Sequence, residues 1–180
     1  DLPVGYHGYW YDGRFAGAAA KMAGHYGLTT GGRVLEIGCA KGFVLVEFFK
    51  LGLRVAGLDA SVYAIRNAHP QVRSFISLGD ACRLPFGDAA FDFVLGKEVL
   101  PHLPENKVPS AVRECMRVSK GPVFFEIQTG ETPLEREYMK RWDGTHATIR
   151  PQAWWEDLFG RLEYRGDVHY KVLVPEHEKA

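Results

Sequence analysis

This chain has little of what would tie it to a scaffold, a membrane or a polyanion. It holds only 3 cysteines in 180 residues. Cys39, Cys82 and Cys115 offer neither the even count of a disulfide framework nor the close pairs of a zinc site. Free thiols in a reducing cytoplasm are expected. The 22 basic and 22 acidic residues cancel, so no overall field pulls the chain toward nucleic acid or an anionic membrane. No apolar run reaches the ~20 residues of a membrane span, and no leader segment is expected. Two nucleotide signatures are missing as well. A Walker loop requires Gly-Lys followed by Ser or Thr, which does not occur. A dinucleotide fingerprint counted from Gly38 puts Ala40 and Phe43 where glycines belong.

What is present begins at Val34-Leu35-Glu36-Ile37, a short apolar run bounded by Gly31-Gly32 and Gly38. It fits a buried parallel strand. Gly38 and Gly42 permit a sharp turn and close approach of a ligand to the backbone. The run from Phe43 to Leu51 is apolar all round and reads as a buried helix. Its first N–H groups suit an anion. A second strand, 53–58, then leads to Asp59. A carboxylate at that tip can accept from both hydroxyls of a ribose. Strand, glycine turn, helix, strand and acid together are the first half of a nucleoside-cofactor site in an open parallel sheet. Asp59 or Ser61 could instead cap the helix that begins near Val62.

The rest of the chain continues the alternation. A helix is expected over 14–26, and helix 62–68 ends before His69-Pro70. Strands follow at 74–78, 91–96 and 122–127. Between the last two, Val108, Ala111, Val112, Cys115 and Met116 form one apolar helical stripe, with Pro109 in its first turn. Residues 129–150 are polar and irregular, with a helix at 133–141. Pro151 opens a helix carrying the adjacent Trp154 and Trp155, one expected in the core and the other at a pocket or interface. Arg165-Gly166-Asp167 reads as a hairpin turn before a last strand, 168–174. Alternating strands and helices predict an α/β sheet, mostly parallel, with helices on both faces and a C-terminal antiparallel strand. With 46% hydrophobic residues the chain fills one domain. It comprises an N-terminal arm (1–30), a core (31–127), and an acceptor loop with a C-terminal hairpin (128–180).

Four segments in order carry a resemblance: E-x-G-C-A-x-G at 36–42, Gly57-Leu58-Asp59-Ala60-Ser61, Gly79-Asp80-Ala81 with Leu84-Pro85-Phe86, and Phe91-Asp92-Phe93-Val94-Leu95. The chain resembles the class I S-adenosylmethionine (SAM)-dependent methyltransferases over roughly residues 30–126. Thr145-His146-Ala147-Thr148-Ile149-Arg150-Pro151 with Trp154-Trp155 is similar to small bacterial members of natural-product or sugar pathways. The resemblance implies that Gly38, Cys39, Ala40 and Gly42 wrap the methionine part of SAM. Glu36 braces the turn or meets the methionine ammonium. Asp59 takes the ribose hydroxyls, with Ala60 and Ser61 beside the adenine. Asp80 accepts from the adenine amino group, and the Ala81 N–H donates to the ring. Lys97 offers its backbone carbonyl to the ammonium. Two departures stand out. Ala40 occupies a position where many relatives have glycine, and Lys41 is expected to face solvent or the cofactor carboxylate.

The sulfonium makes the methyl carbon electrophilic, so the protein must chiefly hold an acceptor atom in line with it. A base helps where the acceptor must lose a proton. His102, after the fourth strand, and His146, in the late loop, have the best addresses for that role; His7 is a further candidate. The tyrosine and tryptophan rings of the N-terminal segment, Tyr11 among them, could close over the sulfonium by cation–π contact or simply pack as an arm. No metal is expected: where metal-using relatives carry Glu-x-x-Glu-His, this chain has Pro101 at the second acid, leaving Glu98 and His102 as a poor divalent pair. The implied partner is a small-molecule acceptor, in a pocket built from the N-terminal segment and the 128–150 loop or by a partner subunit in a homodimer. The alternatives are a nucleic-acid or protein methyltransferase, and a SAM-binding domain without transfer activity.

Overall fold

The computed structural model describes residues 9–172. Tyr6, His7, His177 and the end of the last expected strand lie outside them. Six strands form one sheet in the order β3-β2-β1-β4-β5-β6. They are β1 Arg33–Ile37, β2 Arg54–Asp59, β3 Ile76–Leu78, β4 Phe93–Lys97, β5 Val123–Gln128 and β6 Asp167–Lys171. The helices are α1 Ala16–His25, α2 Phe43–Lys50, α3 Val62–Arg66, α4 Val108–Val118, α5 Pro133–Trp142 and α6 Gln152–Arg161. Each strand pairs in parallel with its neighbours.

The expected antiparallel C-terminal strand is therefore corrected. β6 runs parallel to β5, with Phe125 opposite Val168 and Ile127 opposite Tyr170. The cause lies upstream of the Arg165-Gly166-Asp167 turn. A hairpin needs a strand on both sides of its turn, but the segment before this one is α6. The chain crosses over the sheet through a helix, and such a connection returns a strand in the same direction.

The alternation of side chains along the strands sorts the core into two layers. Leu35, Ile37, Val94 and Phe125 meet α4 and α6, where Val112, Cys115 and Trp155 are fully buried. Val34, Val55, Phe93 and Leu95 face the other way, against α1 and α2. The same period carries Glu36, Asp59 and Lys97 to the α1/α2 side at the carboxyl ends of β1, β2 and β4. That end, where β1 gives way on one side to β2 and on the other to β4, is the switch point at which open α/β sheets bind ligands.

The late region is more ordered than its polarity suggests. Thr132 and Glu135 form a reciprocal capping box at the start of α5. The following loop is lashed to the turn after β4. Ala147 and Thr148 both donate backbone N–H groups to the Pro101 carbonyl, and the Thr148 hydroxyl donates to Leu103 O at 2.7 Å. Of the paired tryptophans, Trp155 is in the core, while Trp154 is half-buried beside the Arg150 guanidinium.

Candidate functional site

Gly38 and Gly42 adopt φ of +65° and +77°. A Cβ on Gly38 would come within 2.5 Å of the Val99 side chain, so the turn passes where only glycine fits. Between them Ala40 adopts φ +49°, a left-handed conformation that strains an alanine by about 1 kcal/mol. Its N–H is held at 2.7 Å by Asp59 Oδ2, which helps fix that conformation. Ala40→Gly is expected to raise unfolding stability by up to about 0.6 kcal/mol, the left-handed cost less the extra chain entropy of glycine. Urea denaturation measures it, and a loss of stability would show that the methyl group packs usefully.

Asp59 is buried at 8% exposure. Its Oδ1 accepts from the Ser61 N–H at 2.8 Å and its Oδ2 from Ala40. Ser61, not Asp59, caps α3, through Oγ and the Ala64 N–H. A carboxylate offers about four acceptor positions, and two are used here. The other two remain for vicinal hydroxyls, while the bonds already made fix the carboxylate's plane.

Glu36 is 3% exposed, and its Oε2 has no hydrogen-bond partner among the described residues. Burial pushes its pKa from 4.5 up to about 8; Lys97 opposes the rise and Asp59 adds to it. An ionised carboxylate buried without a partner costs stability unless a cation meets it. The methionine ammonium of SAM is such a cation. The glycine turn, the two open positions on Asp59 and the unpartnered oxygen of Glu36 fit the adenosine and amino-acid ends of SAM. Bound there, SAM would supply an electrophilic methyl group.

The other expected cofactor residues are placed as follows. Cys39 is buried, and burial pushes its thiol well above the ordinary range; it is wall, not nucleophile. Ala60 and Ser61 link the carboxyl end of β2 to the start of α3. Asp80 accepts from the Cys82 N–H at 2.9 Å, which holds its carboxyl below the usual range. Ala81 is buried among Leu58 and Leu84. The Lys97 side chain pairs with Glu126 at 3.1 Å and Glu98 at 3.2 Å, and Lys171 pairs with the same two acids. Tyr11 packs its ring near Phe43 and His69 and donates its hydroxyl to Glu47. These contacts tie the arm to α2. Lys41 is partly exposed and donates to the Tyr9 carbonyl at 3.0 Å, so it secures the same arm.

The two candidate histidines, far apart in sequence, come together. Their rings stack at 4.5 Å with 23° between planes. His146 is buried; Nδ1 lies 3.0 Å from the Asp143 carbonyl and Nε2 contacts the Gln128 side chain. His102 Nδ1 lies 2.9 Å from Thr145 Oγ1, whose hydroxyl donates to Asp143 Oδ1 at 2.6 Å. Asp143 and Thr145 were not among the residues expected from sequence. Asp-Gly-Thr is an Asx-turn signal, and the Thr145 N–H does close that turn on Asp143 at 2.9 Å. Ligand-type atoms of His102, Asp143 and His146 lie within 4.8 Å of one another. However, stacked rings present their nitrogens side by side rather than toward one point, and three of the four ring nitrogens are already in hydrogen bonds.

Comparisons with known proteins agree with this geometry. Residues 35–125 match the methyltransferase domain family. The chain is 29% identical over 127 residues to the 27-O-demethylrifamycin SV methyltransferase of Amycolatopsis mediterranei, covering 63% of this chain and 46% of that one. It is 32% identical over 113 residues to the 2-methyl-6-phytyl-1,4-hydroquinone methyltransferase of Synechocystis, covering 59% and 34%. The chain thus spans less than half the length of these relatives. The crystal structure of the YcgJ protein of Bacillus subtilis has the same fold, with a TM-score of 0.69 at 22% identity over 81% of this chain and 67% of that one. The family match takes in half of the chain, including the glycine turn and Asp59, and on that ground the chain belongs to the SAM-dependent methyltransferases.

Proposed function

We propose that the chain transfers the methyl group of SAM to a small-molecule acceptor. The observation that carries the reading is the loop 143–150, bound back onto Pro101 and Leu103 after β4, which brings His146 against His102. It supports an acceptor site shaped within the chain, by this loop and the turn after β4. A nucleic-acid enzyme would need a basic surface, and the balanced charge argues against one. The two named relatives, both acting on small organic molecules, support the same substrate class. In the transfer, Asp59 and Glu36 would hold the two ends of SAM. The acceptor site would orient the acceptor and exclude water. The three free thiols support a cytoplasmic setting. No helix among the described residues is long and apolar enough to cross a membrane. A second copy completing the acceptor site is an arrangement that light scattering would reveal.

The test joins binding to turnover. Calorimetry with S-adenosylhomocysteine (SAH) should give saturable one-to-one binding. Turnover followed by SAH release should occur with members of a panel of small hydroxylated and amino compounds, at rates little affected by salt. Methylation of transfer RNA or protein in place of every small compound would sink the proposal, and SAH binding without any turnover would favour a regulatory domain.

A further inference from the structure

The pairing of His102 with His146 leaves open which of them acts, and the hydrogen bonds around them decide it. Asp143 is 7% exposed. Burial works to raise its carboxyl, but the Thr145 hydroxyl and N–H, with the neighbouring His102 and His146, outweigh burial and hold it below the usual range. It is therefore an anion at neutral pH, and an anion can only accept. The Thr145 hydroxyl has one proton, and that proton goes to Asp143. Toward His102, Thr145 Oγ1 can then only accept. The proton of the His102–Thr145 bond must lie on His102 Nδ1. A neutral imidazole protonated on Nδ1 carries its lone pair on Nε2. No group among the described residues bonds to that nitrogen.

His146 is in the opposite position. Its Nδ1 faces the Asp143 carbonyl and its Nε2 faces Gln128 Oε1, so both nitrogens point at acceptors. With both nitrogens engaged and the ring buried, it presents no open nitrogen to an acceptor. It acts by stacking against His102 and fixing that ring's plane.

From this geometry we infer that His102 Nε2 is the general base, set in its tautomer by a chain running from Asp143 through Thr145, and that the acceptor atom is a hydroxyl oxygen. The inference rests on the methyl-transfer reading and names the chemistry of its acceptor. A hydroxyl is a weak nucleophile until it sheds its proton, whereas a carbon nucleophile of an electron-rich ring does not need a base at the moment of attack. His102 Nε2 forms a bond to the hydroxyl proton while the freed oxygen pair forms the O–CH3 bond and the C–S pair stays on sulfur. A cationic donor and a neutral imidazole become a neutral thioether and an imidazolium. Nδ1–H keeps its bond to Thr145, and the Asp143 carboxylate beyond it offsets the new charge. Solvent then takes the Nε2 proton. Burial and the neighbouring His146 hold the His102 pKa below 6.5, while Asp143, Thr145 and Asp59 pull the other way with smaller effect. The ring is thus neutral and ready at neutral pH. Thr145, Asp143 and His146 are positioning residues.

The first test needs no ligand. Nitrogen-15 spectra of histidine-labelled protein, with the His102 signals assigned by their loss in His102→Gln, should show a protonated Nδ1 and an unprotonated Nε2 in the free chain. Thr145→Val keeps the shape and removes the hydroxyl; the ring should shift toward the Nε2–H tautomer. Thr145→Ser should restore the original pattern. A wild-type His102 carrying its proton on Nε2 overturns the inference, as does tight stoichiometric zinc binding that consumes the Nε2 lone pair. The second test uses SAM with a panel of small phenols, alcohols and amines. His102→Gln should lower kcat on hydroxyl compounds by about 10²–10⁴-fold with the KM for SAM little changed. Thr145→Val should lower kcat by about tenfold at neutral pH, and Thr145→Ser should recover it. Turnover confined to amines, or wild-type rates in His102→Gln, overturns the inference. SAH binding by the wild-type chain reports separately on the methyl-transfer reading, because neither the tautomer nor its dependence on Thr145 requires SAM.

Discussion

Asp59→Ala is expected to weaken SAH binding by roughly 30- to 150-fold, about 2–3 kcal/mol. Two losses combine. The ribose hydroxyls lose their acceptors, and the N–H groups of Ala40 and Ser61 lose the carboxylate that now holds them at 2.7 and 2.8 Å. The second loss is felt before any ligand arrives, because it releases Ala40 from the left-handed conformation that shapes the turn. Asp59→Asn is informative for the same reason. Its amide would turn an NH2 group toward one of two N–H donors, so it should bind SAH little better than the alanine variant despite its nearly identical size. Calorimetry at constant pH, with circular dichroism to confirm the fold, gives the answer. Affinity within twofold of wild type would remove Asp59 from the ribose site.

The second large effect concerns protons. In the free chain Glu36 has its pKa raised from 4.5 to about 8. Between those values the folded chain holds a proton that the unfolded chain has lost. Glu36 therefore contributes stability that is fully present below pH 4.5 and drains away as pH rises through about 8. Thermal stability of the free protein should fall over that window, and Glu36→Gln should flatten the fall. Binding reverses the balance. An ammonium placed at the buried carboxyl favours its ionised form, so SAH binding near pH 6.5 should release close to one proton. Affinity should rise with pH until the carboxyl is ionised without help. Calorimetry in buffers of different ionisation enthalpy counts the proton. Glu36→Gln should abolish its release and weaken binding by about tenfold. Unchanged proton release in that variant would place the titrating group elsewhere.

The β1–β2 half of the sheet was legible because local signals and global structure agree there. Val34 to Ile37 is apolar, the glycines bracket it, and Asp59 sits at a strand tip. Each is a short-range feature, and each leads to the same parallel sheet. The same holds for α5, whose Thr132, Pro133 and Glu135 announce a helix start even in a polar stretch. The errors arose where a local signal needs a distant partner. Arg165-Gly166-Asp167 has the composition of a hairpin turn, but whether it makes one depends on the segment before it, which is helical. The pairing of His102 with His146 was hidden for a related reason. It is made by backbone bonds from Ala147 and Thr148 to Pro101 O, and main-chain donors carry no side-chain signature. The bond from Lys41 to the Tyr9 carbonyl was not legible either, because a backbone acceptor in the preceding arm leaves no mark in the sequence.

That last contact has a wider consequence. Lys41 belongs to the glycine turn, yet its ammonium is anchored on Tyr9, whose ring stacks on Phe43 at the first position of α2. The opening segment and the turn therefore share one free-energy surface. Whatever orders the turn lowers the entropy cost of docking the segment, and whatever frees the segment softens the turn. Residues that never touch the nucleoside thereby acquire leverage over how tightly it is held.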